Sequence, residues 1–210
     1  MSPRPRFKRL AAEVRERILT RAAEEFGAHG FEQASLNRII EGSGVSKGAM
    51  YYYFDDKTDL YATVIDHAVR IYLDYAGDLR PSDLDAETFW PAIEDWSRES
   101  FAVSADHPWI VSMARHVMMH ASPTGPARRI WDAWTSVARA LLDRGQELGL
   151  VRTDLPDELL INAVVGLGTA MDRWTLEHWD DTPIEEFQAL VPTLTDLFRR
   201  LVEPTPKSTT

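Results

Sequence analysis

Residues Ser35 to Lys57 read Ser-Leu-Asn-Arg-Ile-Ile-Glu-Gly-Ser-Gly-Val-Ser-Lys-Gly-Ala-Met-Tyr-Tyr-Tyr-Phe-Asp-Asp-Lys. The stretch predicts two short helices joined by a tight glycine turn. Ser35 can cap the first, because a serine oxygen accepts an N–H that the first helical turn leaves unpaired. Leu36, Ile39 and Ile40 give that helix its apolar face. Gly44 supplies the turn, and Ser46 caps the second helix. Helical residues follow one another at about 100°. Lys47, Gly48, Tyr51 and Tyr52 therefore share one face, while Ala49, Met50 and Tyr53 fall on the other.

The first of these faces is basic, small and aromatic. Lys47 can reach a phosphate or a guanine edge. Gly48 costs a helix about 1 kcal/mol relative to alanine, and its bare backbone would let a DNA strand come close. Tyrosines can donate to phosphate oxygens and lie against sugar or a thymine methyl. Each feature alone has an ordinary explanation: a glycine tolerated in a first turn, tyrosines in a core or a protein interface, a solvated lysine. Their conjunction with two caps and a turn at this spacing points to nucleic acid.

Upstream, Leu10, Val14, Ile18, Ala22 and Phe26 form an i+4 ladder, with Leu19 beside it. This predicts an amphipathic helix of about five turns, with Gly30 as a left-handed stop. Downstream, a helix is expected from near Thr58 to about Gly77. Further helices are expected at about 84–105, 108–120, 126–148, 156–179 and 183–202. They are separated by Pro81, Pro108, the run Ser122-Pro123-Thr124-Gly125-Pro126, Gly149, Pro156 and Asp180-Asp181-Thr182-Pro183. No segment alternates with period two, so no strand is expected. Residues 203–210 read as a disordered tail.

The 210 residues carry a net charge of −10, which at first argues against a polyanion partner. The charge is unevenly spread. Residues 1–60 hold 10 Lys and Arg against 9 Asp and Glu, and the first 21 alone hold 7 against 2. Screening limits each charge to about 8–10 Å, so the local patch outweighs the total. Arg4, Arg6, Lys8 and Arg9 form an N-terminal arm that is either disordered or touches a groove or phosphates. With no cysteine in the chain, disulfides and thiolate metal sites are excluded. The basic N-terminus lacks a signal peptide's apolar core. No apolar run approaches the roughly 18 residues of a membrane helix. A cytoplasmic protein is expected.

The stretch from about Arg15 to Tyr61 closely resembles the DNA-binding domain of the TetR family of bacterial transcriptional regulators. The matching residues include Ala22-Ala23-Glu24-Glu25-Phe26-Gly27-Ala28-His29-Gly30-Phe31, Gly44-Val45-Ser46-Lys47-Gly48-Ala49-Met50-Tyr51, Phe54, Lys57 and Leu60. The sequence departs from the usual pattern at Tyr53, where histidine is common, and at Ser35, where threonine is common. The resemblance implies an all-α protein: a three-helix helix-turn-helix head on a larger helical ligand-binding and dimerisation body. It places Ser46, Lys47, Gly48, Tyr51, Tyr52 and Tyr53 in or beside the major groove and Lys57 on a phosphate. The Ser35 hydroxyl would cap its helix and donate to a phosphate. The expected division is a DNA-binding domain at 1–57, with the helix-turn-helix at about 36–54, and an effector-binding and dimerisation domain at 58–202.

The later residues carry no such motif. All seven Trp lie beyond residue 89. Aromatics and methionines line adaptable apolar pockets, and they also fill helical cores. If a pocket exists, its walls are expected to include Trp96, Met113, His116, Trp131, Trp134 and Met171. His116 and His120 stand at i, i+4, the spacing of a two-histidine metal site. No third ligand follows, so neither a metal nor a cofactor is assigned. Leu159, Leu160, Ala163, Val164, Leu167 and Met171 form one apolar stripe, with Gly166 and Gly168 beside it. Phe187, Leu190, Val191, Leu194, Leu197, Phe198 and Leu201 form another. Part of each must serve the monomer core, and the rest suits a four-helix dimer bundle.

Three functions compete. The first is a repressor that binds a palindromic operator as a homodimer and is released by a small molecule. The second is an enzyme built on His116, His120, Asp172 and the Trp cluster, for which no nucleophile–base pair, phosphate loop or cofactor fingerprint is found. The third is a helical protein-binding module that does not touch DNA. The first is the expected one, so no enzymatic activity is assigned.

Overall fold

The computed structural model describes residues 5–76, 79–120 and 125–205. It is all-α, and no strand occurs among the described residues. The chain forms two compact units, one of residues 1–71 and 107–131, the other of residues 72–106 and 132–210.

In the first unit, α1 (Pro5–Lys8) is a single turn and α2 (Ala12–Gln33) is the long amphipathic helix. After them come α3 (Leu36–Ser43), α4 (Lys47–Tyr53) and α5 (Lys57–Ala76), whose residues up to Ile71 belong to this unit. The α2 ladder buries Ile18, Ala22 and Phe26 completely. Ile39 of α3, Met50 of α4, and Leu60 and Val64 of α5 are also buried. At about 1.5–3 kcal/mol for each large apolar side chain, this shared core is what holds the short α3 and α4 in place.

The arm differs from the expectation of disorder. From residue 5 it is an ordered turn, and Phe7 packs 4.8 Å from the Phe54 ring. Arg4 lies outside the described residues. Gly30 takes φ 70°, ψ 170°, a conformation that side chains disfavour. It kinks α2 without ending it, and one further turn runs to Gln33.

Helix α7 (Pro108–His120) packs along α2 in this unit. Two glycines permit the approach. A Cβ on Gly27 would lie 2.2 Å from Ser112 Oγ, and one on Gly30 would lie 2.4 Å from His116 Cε1.

The second unit holds α6 (Phe89–Asp106), most of α8 (Arg128–Glu147), α9 (Asp157–His178) and α10 (Ile184–Val202). Helix α6 starts later than the sequence suggests. The Asp85 carboxylate accepts the N–H groups of Glu87 and Thr88, which fixes a turn ahead of the helix. Likewise α8 follows a 3-10 turn at Gly125–Ala127. Leu142, Val151, Leu160, Ile161 and Val202 form an apolar cluster. Arg144 ties α8 to the loop before α6 by donating twice to the Leu84 carbonyl, at 2.9 and 2.6 Å. The last two helices keep large apolar groups in solvent: Leu159 is 54% exposed and Leu197 46%. Of the expected tail, residues 206–210 lie outside the described residues. No helix among the described residues is long and apolar enough to cross a membrane.

Candidate nucleic-acid interface

Local chemistry builds the helix pair. Ser35 Oγ accepts from Arg38 N at 3.4 Å, and Ser46 Oγ accepts from Ala49 N at 3.1 Å. Between them Gly44 adopts the left-handed conformation, φ 67°, ψ 21°, which costs glycine little and other residues more. The two axes are therefore set by residues at fixed offsets from one another.

Long-range polar contacts then fix the pair to α2. Arg38 grips the Glu25 carboxylate through Nε, at 2.9 Å to each oxygen, and through Nη2. The same carboxylate accepts the Ser35 N–H at 2.7 Å. Together these contacts hold the Glu25 carboxyl below its ordinary value, the hydrogen bond from Arg38 contributing most. At the other end of α3, Arg17 Nε donates to the Ser43 carbonyl at 2.7 Å. Neither arginine had been singled out in the sequence, because their partners lie 13 and 26 residues away.

On α4, Lys47 and Gly48 are exposed and Met50 is buried. Tyr51 and Tyr52 are 47% and 48% exposed. Tyr53 is half-buried, edge-on to Phe7 with ring centres 6.2 Å apart. Gly48 has no internal reason to lack a side chain: a Cβ at that position would have Ser46 Oγ, at 4.0 Å, as its nearest neighbour. Arg6 of α1 lies 4.4 Å over the Tyr52 ring, which brings a second cation to this face.

Lys57, the first residue of α5, turns back onto the end of α2. Its Nζ donates to the carbonyls of Glu32 and Ala34 at 3.0 and 3.3 Å, and it lies 4.8 Å over the Phe31 ring. An ammonium has three N–H donors, so these two bonds leave one for an anion.

The six expected pocket residues divide between the units. Met113, His116 and Trp131 belong to the first, where Met113 is buried and the His116 ring lies against Gly30. Trp96, Trp134 and Met171 belong to the second, where Trp96 and Trp134 meet edge-on at 5.7 Å. The His120 side chain lies outside the described residues. Among those described, no group of three or more His, Asp or Glu could hold a metal ion.

A capped helix–turn–helix with an exposed lysine, glycine and tyrosine face is the arrangement of a DNA-reading module. Residues 18–64 match the profile described as "Bacterial regulatory proteins, tetR family". The chain is a member of the TetR family, a family of DNA-binding transcriptional regulators and not of enzymes. It is similar to the transcriptional repressor BepR of Brucella suis biovar 1, with 41% identity over 63 residues, 30% of each chain. It is also similar to the transcriptional regulator RutR of Escherichia coli K12, with 30% identity over 142 residues. That match takes in 67% of this chain and 62% of the relative. In each case the chain spans less than two thirds of the relative's length. Among solved structures, the regulator FadR from Bacillus subtilis in complex with stearoyl-CoA superposes with a TM-score of 0.70 at 15% identity, covering 87% of this chain and 96% of that one. A TetR family regulator from Chloroflexus aurantiacus gives 0.64 at 20% identity, covering 97% and 99%. At these identities the likeness is one of fold.

Proposed function

We propose that this chain is a cytoplasmic transcriptional repressor that binds a palindromic DNA operator as a homodimer and is released by a small-molecule effector. The observation that carries the reading is the α4 face: Lys47, Gly48, Tyr51 and Tyr52 stand in solvent, and the glycine there answers to no neighbour within the protein. Lys47 reads a base edge or phosphate, Gly48 admits the DNA backbone, and Tyr51 and Tyr52 donate to phosphates. Ser35, Ser46, Tyr53 and Lys57 flank the groove, with Ser46 and Ser35 holding their helices in register. In this reading residues 1–57 are the DNA-binding domain and 58–202 the effector-binding and dimerisation domain.

Dimerisation is supported by the exposed Leu159 and Leu197, and by Gly166, where a Cβ would meet nothing within 4 Å. A two-fold dimer sets its recognition helices about 34–36 Å apart, one DNA turn. For an effector pocket the second unit offers Trp96, Trp134 and Met171, and the first unit offers Met113, His116 and Trp131. Lys57 supplies a route for release, because a shift of α5 pulls directly on the carbonyls that end α2. The effector moves the equilibrium by its differential affinity for the two states, typically 1–3 kcal/mol.

The test is a mobility-shift titration on the promoter beside the chain's own gene. Lys47→Ala and Tyr52→Ala are each expected to weaken binding, and affinity should fall steeply with salt as counterions are released. Unchanged affinity in both variants removes the assignment of the face. A flat salt response favours a protein-binding module instead.

A further inference from the structure

The single turn α1 sets two neighbouring residues against the recognition helix in different ways. Phe7 is buried, edge-on to Tyr53 at 6.2 Å and tilted against Phe54 at 4.8 Å. Arg6 is exposed, and its guanidinium carbon stands 4.4 Å from the centre of the Tyr52 ring. Tyr52 in turn meets Tyr53 edge-on at 5.4 Å. Rings therefore run from Tyr52 through Tyr53 to Phe7, and the backbone from Phe7 to Arg6 closes the circuit. The turn itself is fixed by its own main chain. Arg9 N–H donates to the Arg6 carbonyl at 3.2 Å and Leu10 N–H to the Phe7 carbonyl at 3.1 Å. Arg15 Nη1 of α2 donates to the Lys8 carbonyl at 3.4 Å.

An arginine tethered by its chain alone sweeps a wide volume. This one is held at its backbone by the buried Phe7 and at its tip by the Tyr52 ring. The ring is held as well, on its face by the cation and on its edge by Tyr53, so its hydroxyl keeps one direction. Stacking uses the flat face of a guanidinium. The N–H donors lie in the plane, around the rim, and run past the ring rather than into it. A phenol carries its O–H donor at the rim too. Two donors, one charged and one neutral, thus stand at the edges of two stacked planes. No acidic residue lies in the first turn of α1, and Lys8 and Arg9 beyond it are exposed. The ligand that complements this pair is an oxyanion with more than one acceptor oxygen, which is what a DNA phosphate presents.

We propose that Arg6 and Tyr52 act as one clamp on a single phosphate of duplex DNA, beside the groove that α4 reads. The inference rests on the regulator reading of the α4 face and adds a site that neither residue makes alone. Arg6 has two tasks. Its charge draws the phosphate in, and its flat face holds the Tyr52 ring so that the phenol O–H meets a second oxygen of the same phosphate already ordered. Phe7 is a positioning residue: it touches no DNA and keeps Arg6 over the ring. A loose cationic arm supplies charge alone and couples to no particular tyrosine.

The test is a fluorescence-anisotropy titration of the promoter fragment beside the chain's own gene, with the full chain, over a series of salt concentrations. Arg6→Ala is expected to weaken binding at least about fivefold and to flatten the slope of log K against log salt by about 0.9 for each clamp engaged. Arg6→Lys keeps the charge and therefore the slope. It should still weaken binding at least about twofold, because an ammonium has no flat face to lay on the ring. Tyr52→Phe keeps the ring and loses the hydroxyl, so affinity should fall at least about threefold with the slope unchanged. The double variant Arg6→Ala/Tyr52→Phe should lose less than the product of the two single losses, because the second change meets a clamp already broken. Both side chains reach solvent, and circular dichroism checks that each variant folds. A lower melting temperature in Arg6→Ala with the parent's salt slope shows a structural role only and overturns the proposal. Parent-like affinity in Arg6→Ala or Arg6→Lys, or single losses that simply multiply in the double variant, overturns it as well. Lys47→Ala is titrated alongside. If that variant binds weakly while Arg6→Ala binds like the parent, the clamp is lost and the regulator reading stands, whereas a parent chain that binds no DNA removes both.

Discussion

Replacing Gly48 with alanine should strengthen the free protein and weaken its hold on DNA. A Cβ at position 48 would find Ser46 Oγ at 4.0 Å as its nearest neighbour, so the methyl creates no clash. The backbone there is helical, not left-handed, so the methyl creates no strain either. What remains is the helix preference for alanine, about 0.5–1 kcal/mol near a helix start. For a chain of this size that corresponds to a melting temperature higher by about 1–4 °C. On DNA the same methyl stands where the sugar–phosphate chain is proposed to rest. Pushing the strand away loses the Lys47 and tyrosine contacts together, and an affinity loss of at least tenfold, about 1.4 kcal/mol, is expected. The two effects are read on one sample, by thermal melting and by a fluorescence-anisotropy titration of the promoter fragment. A variant that melts higher and binds DNA as tightly as the parent would refute the close-approach argument. A variant that melts lower would refute the packing argument.

Three further outcomes follow from the geometry. Arg38→Ala should lower the melting temperature at pH 7 by freeing Glu25. Because the paired Glu25 titrates below its ordinary 4.5, its stabilisation is present above that value and fades as pH falls through the folded pKa. The gap between variant and parent should therefore close in acid. Asp172→Asn should behave oppositely. A carboxyl raised from 3.8 to about 6 binds its proton more tightly when folded, so its charge costs stability above pH 6 and nothing below 3.8. The variant should melt higher than the parent at pH 8 and equally at pH 3.5. Gly27→Ala should lose about 1–2 kcal/mol in urea unfolding despite the helix preference for alanine. Turning the Ser112 hydroxyl aside still leaves Ser112 Cβ at 2.8 Å and its carbonyl carbon at 3.0 Å from the new methyl. An unchanged midpoint would show that α7 gives way freely.

What could be read from the sequence was what local spacing encodes. Ser35, Gly44 and Ser46 act on residues within three positions of themselves, so their capping and turning were visible without coordinates. The α2 ladder was visible because each rung repeats at a helical interval. The contacts that join elements were not visible. Glu25 and Arg38 are separated by 13 residues, and Lys57 reaches a carbonyl 25 residues back. Nothing in either neighbourhood announces the partner. Phe7 sits within an arm that read as disordered or DNA-touching, and its burial depends on the rings of Tyr53 and Phe54, more than 40 residues on. The start of α6 was misplaced because Asp85 competes for backbone N–H groups that a helix would otherwise use. Asp172 was noticed only as a weak catalytic candidate, since desolvation is a property of surroundings and not of a residue type. The exception is the pair Gly27 and Gly30. Two glycines three apart on one helix face do hint that something passes close by.

That something is α7, and the fit has a mechanical meaning. Ser112 and His116 sit in the notches left by Gly27 and Gly30 like teeth in a rack, so there is no slack along this seam. If α7 slides by even a fraction of a residue, α2 must travel with it or the teeth collide. Glu25 rides on that same stretch of α2 and is clamped to Arg38, so the displacement arrives at the Ser35 cap as motion rather than being absorbed as slop.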